Sequence, residues 1–313
     1  MFDVILILAG FVLLYFGGEW LVGGSSSLAV RAGVTPLVVG LTVVAFGTSC
    51  PELVVSVDAA LSGHGEISIG NVIGSNIINI ALILGLSAIL NPLKVKLQLI
   101  RFDTPIMIAV SVLFALFFLD RHISRLEALI LFILLVSYTV TVVIMARKEV
   151  KKNRSNGDYA EIKSEYDLAL CIFFIIAGLL TLMAGARLLV EGAVSVAKSF
   201  NISEAVIGLT IVAAGTSLPE LATSVVAAAR KESDISIGNI VGSNIFNILC
   251  IVGVTGLIIP ISAPGISNFD IVMMLITAAV LFPMMKTGFT VNRLEGLVLV
   301  IIYIAYVAWL CPK

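Results

Sequence analysis

The sequence predicts an all-α membrane protein of ten transmembrane helices, built as two inverted-topology five-helix repeats with helices two and seven interrupted. Three observations predict it: the composition, the succession of apolar runs and an internal duplication. Hydrophobic residues make up 59% of the 313, charged residues only 12%, and the mean hydropathy is +1.14. Such a balance lies far outside soluble domains and marks a chain that crosses a bilayer several times. A net charge of −1 offers no basic surface for nucleic acid, and neither a cofactor nor a protein partner is expected.

Apolar runs comparable to the roughly 20 residues that span a hydrocarbon core fall at 4–30, 35–61, 67–90, 104–119, 126–146, 168–197, 203–229, 235–259, 268–285 and 294–311. The first is too long and too Gly-rich for a cleaved signal peptide and is expected to be a retained helix. Cys50, Cys171, Cys250 and Cys311 stand singly in apolar runs, without metal or redox spacing, and read as small buried hydrophobes. The two histidines, His64 and His122, fall in short loops, which argues against a His-based metal site or catalytic triad.

Lys and Arg concentrate in the connections after helices one, three, five, seven and nine, for example Arg31, Lys94, Arg147, Arg230 and Lys286. The other side holds Arg121, Arg125, Lys198 and Lys313. The positive-inside rule then places both termini outside the cell membrane and the polar stretch 147–167 in the cytoplasm. That stretch is the one real linker, read as a solvated spacer between a first repeat (1–146) and a second (168–313).

Shifting the chain by 168 residues lays 34–92 over 202–260 without a gap, with roughly half of the aligned positions identical. Five spans per copy is an odd number, so the second copy enters the membrane from the opposite side. Inverted repeats of this kind characterise secondary transporters, whose sites lie near the midplane between repeats and use interrupted helices.

In helix two, AFGTSCPELVVS (45–56) reads as a helix restart: Ser49 as N-cap, Pro51 in the first turn and Glu52 closing a capping box. Capping alone does not explain the carboxylate, because a mid-span charge costs roughly 2.5–3.5 kcal/mol on insertion scales. AAGTSLPELATS (213–224) repeats the cost at Glu220. The partner segments ISIGNVIGSNIINI (67–80) and ISIGNIVGSNIFNI (235–248) carry Asn71, Ser75 and Asn79, then Asn239, Ser243 and Asn247, at four-residue spacing on one helix face. Asn71 and Asn239 fit either a site role or interhelical hydrogen bonding. Gly70, Gly74, Gly238 and Gly242 are read as close-packing positions. Asp58 has no echo, and Glu19, Arg187 and Glu191 are expected to pair within the protein. Carboxylate, hydroxyl, amide and carbonyl oxygens without thiolate pairs or imidazole suit a hard cation such as Ca²⁺ or Na⁺.

These residues, GTSCPE with GNVIGSNIIN and GTSLPE with GNIVGSNIFN, resemble the paired alpha repeats of the calcium/cation antiporter superfamily, most closely its prokaryotic sodium/calcium exchanger branch. The resemblance implies Na⁺/Ca²⁺ antiport by alternating access, with Glu52 and Glu220 as central ligands. It also implies side-chain oxygens from Thr48, Ser49, Ser75, Asn79, Thr216, Ser217, Ser243 and Asn247, and main-chain carbonyls of Ala45 and Ala213. Helices one and six would form a mobile pair sliding over the rest. Proton-coupled members usually carry an acid where Gly74 and Gly242 stand, and potassium-dependent members an Asp where Asn247 stands. An H⁺-coupled exchanger is the nearest alternative. A cation channel is a distant one, lacking a charged ring. Ser49 has no His or Lys in its span to activate it, which disfavours a hydrolase, and no enzymatic activity is expected.

Overall fold

The computed structural model describes residues 2–155, 166–199 and 213–310. Its helices are α1 (Phe2–Ala32), α2 (Pro36–Thr48), α3 (Cys50–Leu61), α4 (Gly65–Leu90), α5 (Leu99–Asp120) and α6 (Arg125–Ser155). The second half holds α7 (Leu168–Ser199), α8 (Ala213–Gly215), α9 (Leu218–Ala229), α10 (Ser233–Ile258), α11 (Asn268–Lys286) and α12 (Arg293–Leu310). Among the described residues eight helices are long and apolar enough to cross a membrane, nine if the α2–α3 pair is one bent span. The seventh expected span, 203–229, begins outside the described residues, and 156–165 of the expected linker lies outside them.

Two boundaries differ from expectation for physical reasons. α5 starts at Leu99 rather than 104 because a π-helical turn, Leu99–Asp103, winds the polar approach into the helix and buries Asp103. There Asp103 accepts hydrogen bonds from Tyr138 (3.1 Å) and Gln98 (3.1 Å). α6 runs past 146 to Ser155, because Arg, Lys and Glu are good helix formers and need no apolar face once the helix leaves the bilayer.

The break between α2 and α3 is a bend of 43°. Pro51 has no N–H to give the Gly47 carbonyl, and its ring would clash there. Capping boxes do form, but at the starts of later helices. The Ser124 N–H donates to Glu127 Oε2 (2.8 Å) and the Glu127 N–H to Ser124 Oγ (3.3 Å), while Asn292 and Glu295 repeat the exchange at 2.8 and 3.0 Å.

α1 and α7 pack antiparallel along their length. Glycines seven residues apart line both: Gly10, Gly17 and Gly24 on α1, Gly178, Gly185 and Gly192 on α7. A Cβ on Gly17 would come within 2.8 Å of the Leu182 nitrogen, and one on Gly185 within 2.9 Å of the Leu14 nitrogen. A seven-residue repeat keeps one seam in register along two supercoiled helices.

Two short antiparallel ladders close the ends of the bundle. β1 (Leu93–Lys94) pairs with β4 (Thr290–Val291), and β2 (His122–Ile123) with β3 (Ile261–Ser262). Each ladder joins a connection from the first half to one from the second. α4 and α10 sit at the centre, each containing a π-helical stretch, Ile78–Leu84 and Asn247–Val252.

Candidate functional site

The chain breaks twice in the same way, at Ser49 and at Ser217, each followed by a residue and a proline that open the next helix. Neither serine caps its helix through its side chain, which corrects the expected capping box. Ser49 instead donates to Glu220 Oε1 (3.0 Å), and Ser217 donates to Glu52 Oε1 (3.3 Å). A hydroxyl has one proton, and both serines spend it on the carboxylate of the other half, where a charge-assisted bond is stronger than a cap to a backbone N–H.

Ser217 Oγ also lies 3.2 Å from Ser75 Oγ on α4. One turn further, Asn79 donates its amide to Asn244 Oδ1 (3.1 Å), and in the mirror arrangement Asn247 donates to Asn76 Oδ1 (3.1 Å). Ser243 is fully buried on α10. Thr48 Oγ1 lies within 3.1 Å of both the Val44 carbonyl and Asn239 Oδ1, and Thr216 donates to Asn71 Oδ1 at 3.3 Å. The Ala45 carbonyl accepts from the Ser49 N–H at 3.1 Å, and Ala213 opens the three-residue α8.

Asn71 and Asn239, left open by the sequence, are interhelical ties. Asn71 donates to the Glu52 carbonyl (3.1 Å) and Ser56 Oγ (3.0 Å), and Asn239 to the Glu220 carbonyl (3.4 Å) and Ser224 Oγ (3.0 Å). They hold the backbone of each glutamate against the neighbouring helix. Gly238 and Gly242 pack against α2, where a Cβ on Gly242 would lie 2.7 Å from both Ala45 Cβ and the Leu41 carbonyl. A Cβ on Gly70 would meet the Ile266 side chain at 3.7 Å.

What remains is a set of oxygens with no donor. Glu52 Oε2, Glu220 Oε2, Asn79 Oδ1, Asn247 Oδ1 and Ser243 Oγ are buried without a hydrogen-bond partner among the described residues. Both glutamates are 1% exposed. The described ion pairs, Lys96–Asp234, Arg187–Glu191 and Arg230–Glu19, lie elsewhere. Leaving buried acceptors unmet costs about 1–3 kcal/mol each, more for a charged group. Two carboxylates brought together also repel. Both costs are offset if a cation is received. The donor set contains no cluster of three His, Cys, Asp or Glu among the described residues. Two acids with neutral oxygens are the ligand chemistry that hard cations take.

Other residues behave as the plainer readings require. Glu19 of α1 pairs with Arg230 after α9, Arg187 pairs with Glu191 at 2.8 Å on an exposed face, and Asp58 is exposed near the end of α3. Just outside the spans, burial and the neighbouring Asp234 push the Glu232 carboxyl above its ordinary range, with Arg230 pulling the other way. Sequence reasoning missed Asn76 and Asn244. The available signal was the Ser-Asn doublet repeated in GSNIIN and GSNIFN.

A family model described as "Sodium/calcium exchanger protein" matches residues 2–144 and 170–311. The chain is 34% identical over 339 residues to the sodium/calcium exchanger MaX1 of Methanosarcina acetivorans, covering 97% of each protein. It is also 34% identical over 315 residues to the inner membrane protein YrbG of Escherichia coli, covering 98% of this chain and 97% of that one. Among solved structures, the sodium-calcium exchanger NCX_Mj soaked with zero Na⁺ and Ca²⁺ superposes with a TM-score of 0.85 at 33% identity, covering 99% of both chains. Matched over nearly its whole length, this multi-pass membrane chain belongs to the sodium/calcium exchanger protein family.

Proposed function

We propose that this protein is a secondary antiporter that exchanges Na⁺ for Ca²⁺ across the cell membrane at a single site between its two halves. The observation that carries the reading is the set of buried oxygens on Glu52, Glu220, Asn79, Asn247 and Ser243 that find no donor among the described residues. Ca²⁺ takes six to eight oxygens in flexible geometry. The two carboxylates with Ser75, Ser243, Asn79 and Asn247, joined by Thr48, Ser49, Thr216, Ser217 and the carbonyls of Ala45 and Ala213, supply more than enough. Bound Ca²⁺ balances both carboxylates; Na⁺ ions entering the same oxygens displace it, so the two species compete rather than share.

Ten spans in two inverted repeats, 1–146 and 168–313 around a cytoplasmic linker at 147–167, with both termini outside, complete the proposal. The 168-residue duplication supports the repeats. So does the reciprocity of the Ser49–Glu220 and Ser217–Glu52 bonds and of the two end ladders. The helix pair α1–α7 would slide as one body over the rest, its glycine seam holding the two together.

Proteoliposomes decide the exchange. With Na⁺, K⁺ and H⁺ gradients imposed separately, ⁴⁵Ca²⁺ uptake follows the Na⁺ gradient. Uptake driven by a pH gradient without Na⁺ would assign the protein to H⁺ coupling instead.

A further inference from the structure

The cation-exchange reading leaves Asn76 and Asn244 without a part, although both are 2% exposed at the centre of the molecule and bonded across its two halves. We infer that they are positioning residues that fix which end of the Asn79 and Asn247 amides faces the transported cation. This inference rests on that reading and concerns the same site.

An asparagine side chain is nearly symmetric in shape, with an acceptor at one end and a donor at the other. Only its hydrogen-bond network decides which end points where. If the amide of Asn79 or Asn247 presented its NH₂ to a cation, it would repel the ion it is meant to bind. Something must set the orientation, and it must begin from a group whose polarity cannot reverse.

That group is the backbone carbonyl. The Asn244 amide donates to the Asn76 carbonyl at 3.4 Å, with the Met107 sulfur, a weak acceptor, 3.7 Å away. Turned over, Asn244 would aim its own oxygen at that carbonyl. Its Nδ2 is therefore fixed, and its Oδ1 is fixed as the acceptor for Asn79 Nδ2 at 3.1 Å. The donor end of Asn79 is then taken, and its Oδ1 is left buried with no donor among the described residues. The mirror chain runs from the Asn244 carbonyl to Asn76 Nδ2 (3.5 Å, beside the Met274 sulfur at 3.9 Å). From there Asn76 Oδ1 accepts from Asn247 Nδ2 at 3.1 Å, and Asn247 Oδ1 is likewise donorless.

The position in the helix helps. Asn79 lies in the π-helical stretch Ile78–Leu84, and Asn247 opens the stretch Asn247–Val252. A π turn shifts side-chain register from that of the preceding α turn, and here residues three apart, 76 and 79 or 244 and 247, converge on one asparagine of the other half.

A double-mutant cycle on the purified full-length protein, read by equilibrium ⁴⁵Ca²⁺ binding in Na⁺-free buffer, separates orientation from packing. Asn76→Ala frees the Asn247 amide to turn and should weaken Ca²⁺ binding about tenfold, the scale of one hydrogen-bonded ligand. In an Asn247→Asp background both ends of side chain 247 are oxygens, so the same Asn76→Ala change should cost less than about twofold. The pair Asn244→Ala and Asn79→Asp repeats the cycle on the other side. An equal loss in both backgrounds overturns the inference in favour of packing. Glu52→Gln is measured beside them: Ca²⁺ binding that survives it overturns the site reading itself. Loss in Glu52→Gln with undiminished binding in Asn76→Ala overturns only the orienting role.

Discussion

The central helices α4 and α10 and the peripheral pair α1 and α7 are similarly apolar, yet their surroundings differ sharply. In α4 and α10, 78% and 89% of the most apolar window is buried inside the protein; in α1 and α7 the figure is 28% for each. The central helices carry their polar residues inward, where Asn71, Ser75, Asn76 and Asn79 meet partners from the other half. The peripheral pair faces lipid with Phe11, Tyr15, Phe173 and Leu180 and meets itself through glycines. Hydropathy decides that a segment enters the membrane; the placement of its few polar and small residues decides whether it becomes core or rim.

The comparison can be broken most severely at its polar centre. Glu52→Gln and Glu220→Gln each remove a charge that nothing else in the cluster replaces. Na⁺-driven Ca²⁺ uptake should fall by about two orders of magnitude or more, with an unchanged size-exclusion profile. Uptake retained at a tenth of wild type would sink the assignment.

Overpacking comes next. Gly242→Leu drives a side chain into Ala45 and the Leu41 carbonyl, and should destabilise the fold by about 1–3 kcal/mol, visible as a lower melting temperature in detergent. Gly17→Leu makes the same kind of clash at the rim, against Leu182 and Gly178. Because α1 touches none of the cluster oxygens described above, transport should slow several-fold while equilibrium Ca²⁺ affinity stays within about twofold. Equal loss of affinity in both variants would erase the distinction between core and rim. The smallest effect belongs to Arg187→Gln: its pair with Glu191 is exposed, and exchange rate and melting temperature should be indistinguishable from wild type.

Much of this was legible in the sequence. Glu52 and Glu220 stood out because an ionisable group in an apolar run is costly, and the 168-residue echo showed the cost incurred twice. The broken span followed from Pro51 and Gly47. Less legible was what the serines do. A Ser-x-x-Glu spacing fits a capping box and a cross-repeat hydroxyl–carboxylate pair equally well, and only the tertiary partner chooses between them. At Ser124–Glu127, where the hydroxyl gives its proton to the glutamate of its own helix, the box forms.

Asn76 and Asn244 escaped for a different reason. A four-residue stripe assumes one polar face, but α10 is buried on nearly all sides and has no single face to find. The π-helical stretches shift the register further. Asp103 was passed over because it lay just before an apolar run, and no hydropathy pattern reveals that a π turn would wind it inside. A similar pairing in the second half joins the Tyr306 hydroxyl to Asp270 at 2.9 Å.

The crossing of the serine bonds has a consequence for ownership. Ser49 serves Glu220 and Ser217 serves Glu52, so under the proposed function neither half of the polypeptide possesses a finished site. A gene for one half, expressed alone, would encode an acid without its hydroxyl and an asparagine without its guide. Fusing two copies head to tail makes each the other's missing part, and from then on a change in either copy is felt in both.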